Sequence, residues 1–244
     1  MKQGIFKIET NDKIAKDVYK MELLGDISEI LRPGQFVNIK LDGRFLRRPI
    51  SVCDVKDGKL TLIYKVVGEG TKQMSGLRSG NELDILTGLG NGFDTEKSGE
   101  KPVLIGGGVG VPPLYNLCKK LISEGKKPTA VLGFQSKDDV FYKEEFRTLG
   151  AKVYICTDDG SVGKRGFVTD VMQKLNDYTH FYACGPEPML RAVCFSSKTS
   201  GQLSFEARMG CGFGLCVGCT CETKFGNKRI CKDGPIFMKE EIKW

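Results

Sequence analysis

The chain has 244 residues, of which 40% are apolar and 27% are charged, and its formal net charge is +7 at neutral pH. This length allows one or two domains with substantial cores, and the basic residues are spread along the chain, which favours anionic ligands over a nucleic-acid-binding function. The N-terminus lacks an apolar leader and the most apolar run, residues 103–114, is broken by four glycines and two prolines, so we expect a cytoplasmic protein without a membrane span.

Residues 5–89 have the pattern of short strands separated by turns. Apolar and polar residues alternate in several of them, as from Tyr19 to Leu23, and turn signals such as Asp57-Gly58 stand between them. Many short strands of this kind predict a small antiparallel β-barrel. The predicted strands are residues 4–8, 18–24, 35–40, 50–55, 59–66 and 82–86, and a helix is predicted at 71–76 with Thr71 as its N-cap.

Two motifs in this barrel have the residue types of a phosphate site. Arg48 and Ser51 flank a proline-fixed strand start, where the cation can pair with a phosphate and the hydroxyl can hydrogen-bond a flat ring. Gly70 and Thr71 open a helix, whose free N–H groups suit a diphosphate. Taken singly, each motif is also common as a solvated arginine pair or an ordinary helix cap.

Strands alternate with helices in the middle of the chain, after a polar linker at 94–101. This alternation predicts a parallel α/β sheet. Its strands are expected at 103–105, 128–134, 152–157 and 180–184, and its helices at 112–123, 143–149, 168–175 and 188–195. The loop from Gly106 to Gly110 lets a pyrophosphate approach the backbone, although such loops also serve as plain turns. Cys184-Gly-Pro ends another strand of the same sheet, and ligands bind at such strand ends.

Five of the ten cysteines lie between Cys211 and Cys231. Gaps of four, two and eleven residues separate Cys211, Cys216, Cys219 and Cys231, and the first two gaps match the spacing that holds a plant-type [2Fe–2S] cluster. The glycines of this loop allow its backbone to approach the cluster closely. They are Gly210, Gly212, Gly214 and Gly218. The stretch therefore predicts a one-electron carrier with these four cysteines as ligands.

The main alternative for these cysteines is a structural zinc site, since four thiolates also bind zinc. Cys221 is a fifth thiol in the segment, and we interpret it as a bystander because choosing it would lengthen the second gap to four residues. A disulfide framework is less favoured. The other cysteines are interpreted as buried thiols, and they are Cys53, Cys118, Cys156, Cys184 and Cys194.

The order of Arg-x-x-Ser, Gly-Thr, the glycine loop and Cys-Gly-Pro resembles the ferredoxin-reductase family of flavoproteins. The resemblance implies FAD on the barrel and NAD on the sheet. The residues implied for FAD are Arg48, Pro49, Ile50, Ser51, Ile63, Tyr64, Lys65, Gly70 and Thr71. Those implied for NAD are Gly106, Gly107, Gly108 and Gly110 near the pyrophosphate, with Cys184, Gly185 and Pro186 beside the nicotinamide ring.

One position departs from this family. A tyrosine stacked on the flavin often precedes the serine, and here the residue is Ile50. We therefore expect Tyr64 or a partner chain to cover the flavin face. NAD is expected over NADP because Asp138 and Asp139 follow the second strand and would repel a 2′-phosphate at the ribose, although Lys137 weakens that argument.

No residue is expected to act as a catalytic acid, base or nucleophile. His180 is the only histidine, and we interpret it as structural because hydride transfer between flavin and nicotinamide needs no proton from it. Residues 157–161 are interpreted as a turn. No Ser/His/Asp or Cys/His set for hydrolysis can be assembled, so the chemistry must belong to cofactors.

From end to end the chain resembles the electron-transfer subunits of NAD-dependent (type B) dihydroorotate dehydrogenases. The residues that carry this likeness are 46–51, 106–110, 205–211, 217–219 and the closing Ile230-Cys231-Lys-Asp-Gly-Pro. The family implies an FMN-containing catalytic subunit as partner, in a heterotetramer with two copies of each subunit. Electrons from dihydroorotate would then pass from FMN through [2Fe–2S] and FAD to NAD⁺ in pyrimidine biosynthesis, and this chain alone should not oxidise dihydroorotate.

The predicted fold class is a multidomain α+β protein. It comprises a barrel at 1–97, an α/β nucleotide-binding domain at 98–200 and a small [2Fe–2S] module at 201–244. Two other functions stay open on the sequence. One is a subunit of an NAD(P)H:ferredoxin or sulfide-type oxidoreductase, and the other is a zinc-ribbon interaction protein without a redox role.

Overall fold

Six antiparallel strands close into a barrel in the computed structural model, which describes residues 1–244. The strands are β1 (Lys2–Ala15), β2 (Val18–Leu24), β3 (Phe36–Ile39), β4 (Arg48–Lys56), β5 (Lys59–Lys65) and β6 (Glu82–Leu89). Their order around the barrel is β1-β2-β5-β4-β3-β6. Alternate side chains fill the interior, as the sequence pattern predicts. The core includes Phe6, Ile8, Met21, Leu23, Val37, Ile39, Leu60, Leu62 and Ile85.

One helix, α1 (Glu69–Ser75), lies between β5 and β6. It begins earlier than predicted, because Gly68 and not Thr71 is its N-cap. Thr71 is the third residue of the helix, and its hydroxyl accepts hydrogen bonds from the N–H groups of Val67 and Gly68 at 3.0 and 3.3 Å. A threonine at this position stabilises the helix start by reaching back to the cap.

A seven-stranded sheet follows the barrel, in the order β10-β9-β8-β7-β11-β12-β15, with β15 (Ile236–Met238) at one edge. Its parallel strands are β7 (Pro102–Gly107), β8 (Thr129–Phe134), β9 (Lys152–Thr157), β10 (Lys164–Arg165), β11 (His180–Cys184) and β12 (Gly201–Ser204). The helices are α2 (Val111–Ser123), α3 (Lys143–Thr148), α4 (Val168–Met172) and α5 (Glu187–Ser196). The direction of the strand order reverses between β7 and β11, which creates a ligand crevice at their carboxyl ends.

The sheet extends beyond the predicted boundary at residue 200. Strand β12 comes after that boundary, and a small hairpin of β13 (Thr220–Thr223) and β14 (Gly226–Arg229) precedes β15 (Ile236–Met238). Strand β15 pairs antiparallel with β12, with Ser204 opposite Ile236. Residues 205–235 therefore form an excursion between two paired strands of this sheet.

The barrel and the sheet are joined by direct packing and by a fixed connection. The side chain of Lys119 on α2 pairs with Asp54 of β4. In the connection between β6 and β7, the carbonyl of Asp94 accepts hydrogen bonds from Gln202 Nε2 at 2.7 Å and from the Tyr182 hydroxyl at 2.9 Å. The stretch predicted as a linker is thus bound to the sheet.

His180 is buried, with 2% of its surface exposed, and its Nε2 lies 3.3 Å from Gln202 Nε2. Burial lowers the pKa of this imidazole to about 4. It therefore stays neutral near physiological pH, which fits the structural role expected for it. None of the helices is both long and apolar enough to cross a lipid bilayer.

Candidate functional site

The two phosphate motifs of the barrel come together at the start of α1. Arg48 lies so close to Gly70 that a Cβ there would be 2.2 Å from the guanidinium Nε. The guanidinium also donates to the carbonyl of Leu46. A cation beside a helix N-terminus is a chemical fit for a diphosphate. Strand β4 is only half-buried from Arg48 to Ser51, which leaves room for a ligand along its outer side.

The residues of β5 point in different directions. Ile63 is buried in the core between the barrel and the sheet. Tyr64 is buried in the barrel interior, where its hydroxyl donates to Asn11 Oδ1 at 2.9 Å and burial raises its pKa to about 12. Its ring stacks on Tyr19 at a centroid distance of 5.8 Å. The side chain of Tyr64 is therefore not available to cover a flavin face, because strand alternation directs it inward. Of the two alternatives that we expected, the structure excludes this tyrosine and does not test a partner chain.

A cavity of about 730 Å³ lies at the carboxyl ends of the parallel strands and reaches the barrel. Its wall brings together the glycine loop, the turn after β11 and Lys65 of β5. The predicted residues in this wall are Gly107, Gly108, Gly110, Gly185, Pro186 and Lys65. Two of the predicted residues, Gly106 and Cys184, are buried behind the wall, and burial raises the pKa of the Cys184 thiol to about 12.

The glycine loop packs directly on the end of β11. A Cβ at Gly110 would be 2.1 Å from the carbonyl oxygen of Cys184, and one at Gly107 would be 2.6 Å from Met189 Sδ. Only glycine allows this approach, and it keeps the backbone of the loop open toward the cavity. The cavity therefore has the form that a dinucleotide needs at a switch point between parallel strands.

Three acidic residues line the cavity. Asp139 lies 3.9 Å from Lys65 Nζ and accepts a hydrogen bond from the Ser136 hydroxyl. Asp158 lies at the end of β9, in the segment that we interpreted only as a turn. Asp138, which the sequence also suggested for the ribose, is exposed and lies outside the cavity wall. Of the two aspartates that the sequence suggested, Asp139 therefore lines the cavity and Asp138 does not.

Glu206 is the third acidic residue, and we did not predict it. Its side chain is accessible to solvent within the recess. The protein walls around the carboxyl group reduce its hydration and raise its pKa. The only signal in the sequence was its place in the Phe205-Glu-Ala-Arg motif, because a single glutamate before a cysteine loop has no distinctive spacing.

The four predicted ligand cysteines form two pairs. In the first, the backbone N–H of Cys211 lies 3.5 Å from Cys216 Sγ, and that of Cys216 lies 3.3 Å from Cys211 Sγ. In the second, the sulfur atoms of Cys219 and Cys231 are 3.3 Å apart. Each iron of a [2Fe–2S] cluster takes two thiolates, so two pairs fit the group that the spacing indicated.

Cys211 is prepared as a thiolate by its own loop. Partial burial on its own would raise its pKa, but backbone N–H groups of Cys216, Phe213 and Leu215 donate to the sulfur and lower the pKa to about 6. The loop needs left-handed backbone at Gly212 and Gly214, with φ of +78° and +90°. A loop whose backbone N–H groups point at sulfur suits a negatively charged iron–sulfur group, and the two glycines allow that backbone conformation.

Cys221 belongs to neither pair. It lies on β13 opposite Lys228, half-buried, and desolvation raises its pKa. The arrangement agrees with the choice of Cys219 over Cys221 as ligand. Residues 210–218 are called the cluster loop. On its outer side, Leu215 and Val217 expose 80% and 73% of their surface.

The cluster loop also contacts the barrel. The side-chain amide of Asn38 on β3 donates to the carbonyl of Cys211 at 3.2 Å, and Asn38 pairs with Pro49 in the β3–β4 ladder. The first ligand cysteine therefore contacts β3, which is the neighbour of β4, the strand that carries Arg48 and Ser51. The chain thus brings a candidate cluster, a candidate flavin site and a dinucleotide cavity into one connected arrangement.

Comparisons with known proteins identify two domains in this chain. Residues 206–243 match the model of the iron-sulfur cluster binding domain of dihydroorotate dehydrogenase B, and residues 104–195 match that of an oxidoreductase NAD-binding domain. The electron transfer subunit of dihydroorotate dehydrogenase B (NAD(+)) from Fusobacterium nucleatum is 45% identical, over 96% of this chain and 96% of its own.

Two solved structures share the fold. An NADH-dependent reduced ferredoxin-NADP oxidoreductase superposes with a TM-score of 0.90 and 32% identity, over 99% of this chain and 90% of that one. A ferredoxin NADP⁺ reductase from Neisseria gonorrhoeae with bound FAD and NADP superposes with a TM-score of 0.70 and 14% identity, over 80% of this chain and 90% of its own. The latter likeness concerns the fold alone.

Proposed function

This chain belongs to the family of electron transfer subunits of dihydroorotate dehydrogenase B, and from that premise we propose that it passes electrons from a catalytic subunit through a [2Fe–2S] cluster and FAD to NAD⁺. One observation supports this function most directly. The loop of Cys211 touches β3, the neighbour of β4, on a chain whose barrel also borders the dinucleotide cavity. Three redox groups would then lie in sequence.

The barrel residues would hold FAD through its phosphates and along its ring. Arg48 and the N–H groups at Gly70 supply positive charge and donors for the diphosphate, while Ser51 offers a hydroxyl beside Pro49 and Ile50. The backbone at Thr71 and along Ile63, Tyr64 and Lys65 would complete the site. When bound, a flavin can exchange a hydride with nicotinamide and single electrons with an iron–sulfur cluster.

The cavity residues would bind and orient NAD. The glycine loop leaves backbone donors open for the pyrophosphate, and Gly185 and Pro186 shape the wall at the strand end where the nicotinamide would lie. Asp158 and Asp139 line the cavity with negative charge that disfavours the extra phosphate of NADP. These features support NAD as the acceptor.

The cysteine loop would hold the cluster and face the partner. Cys211 and Cys216 would ligate one iron, and Cys219 and Cys231 the other. Exposed Leu215 and Val217 beside the ligands give an apolar surface next to the cluster, which suits contact with another subunit. We propose that this subunit carries FMN, oxidises dihydroorotate, and assembles with the present chain as two copies of each in the cytoplasm.

The test is to purify the full chain with its bound partners and to determine cofactors and coupling. We expect FAD, iron and acid-labile sulfide in this chain, an FMN-containing partner, and reduction of NAD⁺ by dihydroorotate only when both subunits are present. Zinc without sulfide or flavin would end the electron-transfer proposal.

A second candidate is a subunit of an NAD(P)H:ferredoxin-type oxidoreductase. It is favoured by the 32% identity over nearly the whole chain to the NADH-dependent reduced ferredoxin-NADP oxidoreductase. The same purification distinguishes the two functions. A partner that carries FAD and [4Fe–4S] clusters, without dihydroorotate oxidation, would favour this second candidate.

A further inference from the structure

We infer that Asn38 is a positioning residue whose side-chain amide fixes the cluster loop against the barrel and so sets the rate of electron exchange between the cluster and the flavin. This inference rests on the proposed function. It concerns a residue of the barrel that belongs neither to the cysteine ligands nor to the proposed flavin-binding residues.

Asn38 is the point at which the barrel holds the first ligand cysteine. Its Nδ2 donates to the carbonyl oxygen of Cys211 at 3.2 Å, and 1% of the residue is exposed. The orientation of the amide follows from this contact, because a flipped side chain would place Oδ1 against another oxygen. The hydrogen bond therefore joins strand β3 to the peptide that follows a ligand sulfur.

The remaining polar atom of the side chain shows that packing alone does not explain this asparagine. Oδ1 of Asn38 is buried and accepts no hydrogen bond from another protein group. A buried acceptor without a donor destabilises a fold. A leucine of similar size would avoid that penalty on the same outer face of β3. The amide of Asn38 donates to the Cys211 carbonyl, which an apolar side chain of the same size could not do.

The backbone of Asn38 is itself held in place. Arg47 donates from Nη1 to the Asn38 carbonyl at 3.3 Å and to the Asp84 carbonyl at 3.0 Å. Its guanidinium also pairs with the Asp84 carboxylate at 3.0 Å. Arg47 thus joins β3 to β6 at the residue that contacts the cluster loop. Because the backbone of Asn38 is held in this way, its side-chain amide can hold the loop of Cys211 in place.

The loop is shaped to fit this anchor. A Cβ at Gly212 would lie 2.3 Å from Asn38 Nδ2, and Gly212 has a φ of +78°. The backbone of the loop therefore lies directly on the amide, with no side chain between them. In the ladder, Asn38 is opposite Pro49 of β4. Because electron tunnelling falls steeply with distance, loosening this contact should slow transfer between the loop and the strand beside it.

The experiment uses the full chain, loaded with FAD and cluster, and compares wild type with Asn38→Leu. The first readout is amide hydrogen exchange of residues 210–218, which does not depend on activity. We expect exchange about tenfold faster in the variant, the factor that one ordinary buried hydrogen bond contributes. The second readout is stopped-flow reduction by NADH, in which flavin bleaching should be unchanged and cluster reduction should be several-fold slower.

Thr87→Val is the matched control. Thr87 is equally buried in the barrel, at 1% exposure, and donates from Oγ1 to the Lys2 carbonyl at 3.3 Å. Its substitution removes a buried barrel hydrogen bond without touching the loop, so exchange at 210–218 and cluster reduction should stay at wild-type values. Equal effects in both variants would mean that Asn38 only stabilises the barrel, and would overturn the inference.

Asn38→Ser covers the case in which the leucine variant does not fold, since serine is polar but too short to reach Cys211. Faster loop exchange with slower cluster reduction supports the inference, and unchanged values in either measurement overturn it. The proposed function fails separately. If NADH does not bleach the flavin of the wild-type chain, that function is wrong, whatever the loop exchange shows.

Discussion

The guanidinium of Arg48 lies over Gly70, with Nε 2.2 Å from the place where a Cβ would stand. We predict that Gly70→Ala displaces Arg48 and weakens FAD binding by about tenfold to a hundredfold, the effect of losing one charge-assisted phosphate contact. Flavin content after gel filtration, and titration of the apoprotein with FAD, measure it. Gly68→Ala is the control, because a Cβ there meets no atom within 4 Å. Equal flavin retention in both variants would contradict this placement of the diphosphate.

The cysteine pairs predict different outcomes for two neighbouring thiols. Cys216→Ser removes a member of the first pair and should abolish cluster assembly, whereas Cys221→Ser should leave it intact. Iron and acid-labile sulfide per chain, together with the EPR spectrum after reduction, decide the matter. Loss of the cluster in the Cys221 variant would show that the ligand assignment is wrong.

Asp158 predicts the choice between the two nicotinamide cofactors. Its carboxylate lines the cavity at the end of β9, so Asp158→Ser should relieve repulsion of a 2′-phosphate. We expect the ratio of kcat/KM for NADH over NADPH to fall about tenfold, which corresponds to about 1.4 kcal/mol. Asp138→Ser, outside the cavity wall, is the control and should keep the wild-type ratio. A lower ratio in the Asp138 variant, with the wild-type ratio in the Asp158 variant, would show that the segment after β8 contacts the ribose.

His180 predicts a loss of stability in acid. Its folded-state pKa of about 4 is below that of an unfolded histidine, so the unfolded chain binds more protons between these values and stability falls as pH is lowered through that window. Between about pH 7.5 and pH 5.5, wild type should lose about 1 kcal/mol more unfolding free energy than His180→Gln. Urea unfolding at both pH values measures the difference. Equal losses would show that the imidazole is not protected from protons.

Much of the architecture could be predicted because it depends on local pattern. Alternation and turns indicated the barrel strands, and the change to alternating strands and helices indicated the parallel sheet. The pairing of β15 with β12 could not be predicted in this way, because Ser204 and Ile236 are far apart in sequence and both strands are short. For the same reason no local signal indicated that β12 and β15 belong to the same sheet.

The candidate sites divide in a similar manner. The cysteine spacing and the glycine loop are encoded within short segments, so their residues could be named in advance. Tyr64 was misplaced because its position along β5, and not its residue type, decides whether the ring points into the barrel. Asn38 and Asp158 gave no signal, since each acquires its role only from a loop or strand that folding brings beside it.

The cluster-bearing segment begins at Ser204 and ends at Ile236, two residues that are direct neighbours across a strand pair. Phe205 also donates from its N–H to the Pro235 carbonyl at 2.9 Å. The two ends of this excursion are therefore held together by backbone hydrogen bonds. Loss of the iron group should then loosen residues 205–235 while the pairing of β12 with β15 stays intact. A chain without its cluster should therefore keep the sheet and the nucleotide cavity that is built on it.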